Sequence, residues 1–339
     1  MNNRHFYPDF IRAFATCLIM VYHFDLHALE TRTAESLLFG NASNSFGHYG
    51  ISLFIILSGA TLMLNYERNF NVLTYLKKRF FHIYPLFWIT YLFFFAARLV
   101  FDHSIPEAHL WTFLLTIGAM DGFMLYKLPN FYIMGEWYLG MIIILYLIFP
   151  FLRTVFLKYR YFTLLSCVCL VVLIQRFYQF DMDVSRFPLS RLLEFVLGMS
   201  FIRLFDDSEN NVLNFLLIGI AGVLFYYVSA LNLPFLLKMP AVGIIAFTGL
   251  ASVSRLFSCP ICRTIIRFLS SYSYGAFLSH HVIIVRVTNL FQNKHLAFLP
   301  ECLLLCLCLV LAYGLSFMLT NFTKIVVSRA VQKSPFRQV

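Results

Sequence analysis

Two residues of this chain combine type and spacing in a way that suits chemistry: Arg12 and His23. Eleven positions at 3.6 residues per turn make almost three whole turns. On a helix the two side chains therefore leave one face within about 20° of each other, about 16 Å apart in rise. A guanidinium is always charged and offers forked donors, which suits phosphates or a carboxylate. An imidazole takes a proton from a hydroxyl and returns it to a leaving group. A structural role fits the same spacing, with Arg12 paired to Asp9 one turn earlier and reaching the lipid headgroups, and His23 a hydrogen-bonded core histidine. Both stand in an apolar stretch, where an ionisable group costs about 2.5–3.5 kcal/mol. The face they share must look into a bundle or a wet cavity.

The rest of the chain says what kind of bundle. Of 339 residues, 60% are hydrophobic and 12% charged, against roughly 45–50% and about 25% in a soluble domain. That mix excludes a soluble enzyme and a disordered chain, because too few polar residues remain to cover a water-facing surface. An all-α polytopic membrane protein is expected, with room for about ten spans. The formal charge of +10 marks cytoplasmic loops and anionic headgroups rather than nucleic acid. No removable signal peptide is expected, since the first apolar stretch carries Arg12 and His23 and lacks a small-residue cleavage site. Six of the eight cysteines lie inside apolar stretches as small hydrophobes, and Cys259 and Cys262 form a lone pair without further ligands, so neither a disulfide framework nor a metal site is expected.

Strong spans are expected over residues 9–26, 80–101, 135–157, 161–178, 189–205, 212–230, 241–257, 272–291 and 298–327. Residues 50–64 are short for a crossing, and 110–126 contain Asp121, so each is open to a re-entrant or interfacial placement. Charge parity decides between them. With the N-terminus inside, 50–64 crossing and 110–126 not crossing, the clusters Arg68/Lys77/Lys78/Arg79, Arg153/Lys158/Arg160, Arg255/Arg263/Arg267 and Lys324/Arg329/Lys333/Arg337 all fall inside. Asp206, Asp207 and Glu209 also fall inside, against the trend, though acidic residues contribute little. The expectation is ten spans with both termini cytoplasmic, a membrane domain over 1–330 and a short cytoplasmic tail over 331–339.

The segment RAFATCLIMVYH, from Arg12 to His23, resembles the arginine, ten residues, histidine signature of the acyltransferase-3 membrane family, the bacterial O-acetyltransferases of cell-surface glycans. Further motifs follow in the family's order. HYGISLFIILSGATLML, with Ser58 and Gly59, is similar to its second-span motif; KKRFFHIYPLFW, with Tyr84 and Pro85, to its basic cytoplasmic motif. EWYLGMIIILYLIFP, SRFPLSRLLEFVLGM and SYSYGAFLSHH resemble its later motifs. The chain departs at His82, where the family usually has a second arginine.

The resemblance implies acyl transfer, with acetyl-CoA as donor, from the cytoplasm to a hydroxyl of a cell-envelope glycan or its lipid-linked precursor, at the bacterial inner membrane. Under it His23 is the catalytic base, with a transient acyl-imidazole as alternative chemistry, and Arg12 orients the donor or stabilises the oxyanion. Lys77, Lys78, Arg79 and His82 are the candidates for the coenzyme A phosphates, or else positive-inside anchors. Glu136, Trp137 and Tyr138 are candidates for the acceptor sugar, or else an aromatic belt. Arg186 and Arg191 fall on the outer side, suited to an acidic glycan or a diphosphate, with an Arg191–Glu194 pair at i,i+3 as the structural alternative. His280 and His281 are candidates to assist His23 or to make structural hydrogen bonds. Asp25 and His27 are read as solvated at the outer end of the first span. A transporter or flippase remains the alternative function, since buried ionisable groups also serve transport, although no inverted repeat is visible. A membrane sensor or scaffold would not need Arg12 and His23 on one buried face.

Overall fold

The structure, a computed structural model, describes residues 5–34, 38–134, 137–204 and 211–333. Among the described residues it is helical, with no strand. The α-helices in chain order are α1 (Tyr7–Glu30), α2 (Ser43–Tyr66), α3 (Val72–Phe101), α4 (Phe113–Ile117), α5 (Asp121–Met124), α6 (Trp137–Lys158), α7 (Arg160–Phe177), α8 (Leu192–Leu204), α9 (Asn211–Ala230), α10 (Phe235–Ser254), α11 (Pro260–Leu290) and α12 (Phe298–Lys333).

Among the described residues seven helices are long and apolar enough to cross a membrane: α2, α3, α6, α7, α9, α10 and α12. The expected spans also coincide with α1, α8 and α11. Of these, α1 carries Asp9, Arg12, His23, Asp25 and His27, and α11 carries two arginines in its first nine residues and three overall, with His280 and His281. These charges lower mean hydropathy on helices of 24 and 31 residues. α8 has 13 residues and follows a short 3-10 turn, Pro188–Arg191. Residues 50–64, doubtful for their length, lie inside the 24 residues of α2. α11 begins well before residue 272, with Pro260 in its first turn, where a missing N–H costs no hydrogen bond.

The chain forms two compact units: one of residues 1–19, 44–72 and 141–271, the other of residues 20–43, 73–140 and 272–339. In the first, Tyr7, Ile11 and Ala15 of α1 pack on Leu53, Ile56, Leu57 and Ala60 of α2, with Phe201, Phe247 and Ala251 closing the core. Backbone proximity sets the α2–α8 contact. A Cβ on Gly59 would stand 2.0 Å from the Phe195 carbonyl oxygen, and one on Gly198 would stand 2.0 Å from that of Ile56. Between lipid-soluble helices such close approach replaces the hydrophobic drive that water would supply. Ser58 of the same motif lies 3.3 Å from the Tyr146 hydroxyl.

In the second unit, Phe24 and Ala28 of α1 pack against Ile284 and Val287 of α11 and Leu304, Leu305 and Cys308 of α12. Residues 110–126 form no continuous helix: a 3-10 turn (Leu110–Thr112), α4 and α5 are separated by Ala119 at a φ of 57°. One face of α3 receives this broken segment. Tyr91 meets Phe113 on the way in, with ring centroids 6.3 Å apart, and its hydroxyl donates to the Phe131 carbonyl at 2.8 Å on the way out. In between, Trp88 Nε1 donates to Ile117 O (3.0 Å) and the Tyr84 hydroxyl to Gly118 O (3.3 Å). Tyr84, Trp88 and Tyr91 are spaced i, i+4, i+7, so a single helix row serves the carbonyls that a broken helix leaves open. The segment thus descends along α3 and turns back.

Asp121 lies in that hairpin and is buried, with Asn130 donating to its carbonyl at 2.9 Å. Burial raises its carboxyl to about 7. Because the folded chain holds this proton more tightly than the unfolded one, the protein loses stability as pH rises from about 4 to 7. Asp121→Asn is expected to remove that slope, gaining about 2–4 kcal/mol at pH 8 and little at pH 4. Thermal unfolding in detergent across this range measures it, and parallel pH curves for both proteins would refute the assignment.

Candidate functional site

The second unit assembles four histidines. His23 and His27 are one turn apart on α1, each one residue before a core position, Phe24 and Ala28. They therefore flank the stripe that packs on α11. The ring of His23 lies 5.2 Å from that of His280 and 5.3 Å from that of His281, centroid to centroid. His27 and His281 approach further, Nε2 to Nε2 at 3.1 Å. His27 Nδ1 faces the Glu30 carboxylate at 3.0 Å. His280 is fully buried, and its Nδ1 lies 2.7 Å from the Phe277 carbonyl oxygen, which fixes the ring. Among the described residues no His, Cys, Asp or Glu group of three or more has a geometry that could hold a metal ion.

Backbone sutures set this register. After α1 the chain runs beside the α11–α12 connection, where Asn293 N, His295 N and Leu296 N donate to the carbonyls of Thr31, Arg32 and Thr33 at 3.0, 3.2 and 2.7 Å. Thr33 Oγ1 donates to Thr288 O at 3.0 Å. Asp25, read from the sequence as solvated, is instead buried, near enough to Glu301 of α12 for their charges to interact. Its position on α1 turns it toward α12 rather than outward.

Arg12 belongs to the first unit. Its Nη1 donates to Ser270 Oγ at 3.0 Å, and the same hydroxyl donates to Asp9 Oδ1 at 2.7 Å. The direct Arg12–Asp9 separation is 3.6 Å, with Asp9 buried and the Arg12 side chain 30% exposed. The guanidinium is thus held while part of it stays uncovered by protein. The Arg12–Asp9 pair is legible at i,i+3; Ser270, 258 residues away, is not.

The basic motif enters the second unit on α3. Lys77, Lys78 and His82 are exposed and Arg79 half-buried, its guanidinium 6.0 Å from the Tyr75 ring centroid. His82 stacks on Tyr274, with centroids 6.4 Å apart and planes 15° from parallel, and the Tyr274 hydroxyl donates to Ile83 O at 3.1 Å. Two motifs far apart in sequence therefore meet here. Trp137 is half-buried; Tyr138 is buried with its ring edge-on to Phe277 at 5.7 Å, beside the carbonyl that holds His280. Glu136 lies outside the described residues.

In the first unit Arg186 is half-buried, whereas Arg191 is 1% exposed. Arg191 donates to Glu194 Oε1 at 3.0 Å through Nη1 and to Ser185 O at 2.8 Å through Nε. Ser52 Oγ donates to the same Glu194 oxygen at 2.7 Å. Burying an ion pair is costly unless its remaining lone pairs and protons are served, and these added bonds supply part of that. The residues missed from sequence, Ser52 and Ser270, are hydroxyls on distant helices with no periodic signal. His27 and Glu30, by contrast, stand at a readable i,i+3 spacing.

α1 thus carries a hydrogen-bonded arginine in the first unit and, in the second, two of the four clustered histidines. The family model described as an acyltransferase domain, acyltransferase 3, matches residues 5–321, and the chain belongs to that family. No curated protein and no solved structure matches the chain. The family and the apolar helices together make it a multi-pass membrane acyltransferase.

Proposed function

We propose that the protein is an O-acetyltransferase of the bacterial inner membrane, taking acetyl from cytoplasmic acetyl-CoA to a hydroxyl of a cell-envelope glycan or its lipid-linked precursor. Ten spans, with both termini cytoplasmic, frame the reading: the seven apolar helices plus α1, α8 and α11, with residues 1–330 as the membrane domain, 331–339 as a cytoplasmic tail and membrane lipids around it. What supports it is α1, a continuous helix that carries Arg12 near one end and His23 three turns on, the latter among further histidines.

His23 takes the proton of the acceptor hydroxyl as its oxygen attacks the acetyl carbon; the carbon–sulfur bond breaks and coenzyme A leaves as a thiolate. Arg12, oriented by Asp9 and Ser270, orients the donor or neutralises the developing oxyanion. Lys77, Lys78, Arg79 and His82 hold the donor's phosphates. Trp137, Tyr138, Glu136, Arg186, Arg191 and His280 serve the acceptor side, with Tyr138 and His280 acting through the packing around His23. No metal is called for.

The reading is tested by acetyl-CoA binding to the purified chain and by mass spectrometry of envelope glycans with and without the gene. Binding that weakens at least tenfold in a Lys77→Ala/Lys78→Ala variant, and a glycan acetyl increment lost on deletion, are expected. Absence of acetyl-CoA binding would move the protein to the transporter class.

A further inference from the structure

We propose that His281, His27 and Glu30 form a relay that carries the proton taken up by His23 to the aqueous edge of the bundle. The proposal rests on the reading of His23 as general base and adds where its proton goes. The donor capacity of each partner assigns the tautomers within this proposal. The Glu30 carboxylate only accepts, so the His27 Nδ1 facing it at 3.0 Å carries the hydrogen. In a neutral ring the other nitrogen, Nε2, is then an acceptor. Its partner at 3.1 Å, Nε2 of His281, is therefore the donor, and Nδ1 of His281 is left with a lone pair. The ring of His281 is also the one that lies edge-on to His23 at 5.3 Å.

Each hop breaks one N–H bond and forms the next. In the relay His23, whose ring centroid lies 5.3 Å from that of His281, gives its proton to the remaining acceptor nitrogen of that ring, Nδ1; Nε2 of His281 gives its own to Nε2 of His27; Nδ1 of His27 gives its own to the Glu30 carboxylate, which releases it to water. Exchange with water, one ring proton lost and one taken up on the other nitrogen of each ring, restores the starting tautomers, and the departing thiolate is protonated by water on its own side. The exit is open, because the Glu30 side chain is 67% exposed and that of His27 20%. The end of α1 is held for this purpose by Thr31, whose hydroxyl donates to the His27 carbonyl at 2.7 Å. The titratable groups around the ring pair are Glu30 and His23 on α1 and His280 on α11, while Asp25 of α1 interacts with Glu301 of α12.

The experiment uses the full chain in membranes, labelled acetyl-CoA as probe and incorporation into the glycan fraction as readout, beside solid-state NMR of ring nitrogens in histidine-labelled protein. Glu30→Gln is expected to cut kcat about tenfold with KM for acetyl-CoA unchanged, and Glu30→Asp to restore most of the rate. His281→Phe cuts kcat by a similar factor. NMR is expected to show His27 protonated on Nδ1 in the native chain and not in Glu30→Gln. Native rates in both Glu30→Gln and His281→Phe would overturn the relay, as would a His27 protonated on Nε2 in the native chain. A native chain that incorporates no acetyl would remove the acetyltransferase reading and with it the relay's proton source, whereas native rates in both variants of an active chain overturn the relay alone.

Discussion

His23→Ala is expected to lower acetyl transfer by about 10²- to 10⁴-fold, the range in which a positioned general base contributes. That corresponds to about 3–5 kcal/mol of lost transition-state stabilisation. Acetyl-CoA binding is expected to persist, because the basic side chains of α3 and the held guanidinium of Arg12 are untouched. The half-buried position of His23 between His280 and His281 makes a folding defect the competing explanation. His23→Gln, closer in volume, is therefore the paired variant: it keeps the packing, cannot take the proton and is expected to be as inactive. Full transfer by either variant in a well-folded chain would remove His23 from the chemistry. If the acetyl group passes through an acyl-imidazole, residual activity falls below the lower end of that range, because the nucleophile itself is gone.

The largest stability effects are expected at Gly59 and Gly198. Each faces backbone on the opposite helix, with a hypothetical Cβ 2.0 Å from a carbonyl oxygen. Side chains adjust to overpacking by changing rotamer; two helix backbones must move apart. Overpacking in a well-packed core costs typically 1–3 kcal/mol, and here the cost is expected at about 3 kcal/mol or more for either alanine. The separation would also lengthen the Ser52–Glu194 bond that crosses the same α2–α8 contact. Gly219→Ala is the matched control, since nothing stands within 4 Å of its Cβ position and alanine favours the helix by about 1 kcal/mol. Unfolding midpoints in detergent are the measurement. If Gly59→Ala, Gly198→Ala and Gly219→Ala unfold alike, the α2–α8 approach is looser than described.

These glycines change the meaning of the motifs that contain them. Ser58–Gly59 and Gly198 carry the family resemblance, and their spacing alone says nothing of whether they touch substrate. Their environment assigns Gly59 and Gly198 to packing. The arginine of the same late motif is likewise explained locally: Arg191 and Glu194 stand at i,i+3, and the pair that spacing allows is the pair that forms. Its burial is not local, because Ser52 reaches Glu194 from another helix.

What the sequence determined by itself is what depends on neighbours along the chain. Apolar runs place the helices because a backbone in lipid must satisfy its own hydrogen bonds, and helices do so within one segment. The same periodicity puts Arg12 and His23 on one face, and Asp121 among apolar neighbours marks the stretch that breaks into a hairpin. The tertiary structure alone decided which faces meet. It brought His280 and His281 to His23, linked His27 to His281 across 254 residues, turned Asp25 inward and set Gly59 against Phe195. The physical reason is that helices in an apolar solvent associate through close packing and a few polar contacts, and the partner and register of that packing depend on the shapes of two surfaces, whereas the 3.6-residue period describes only one.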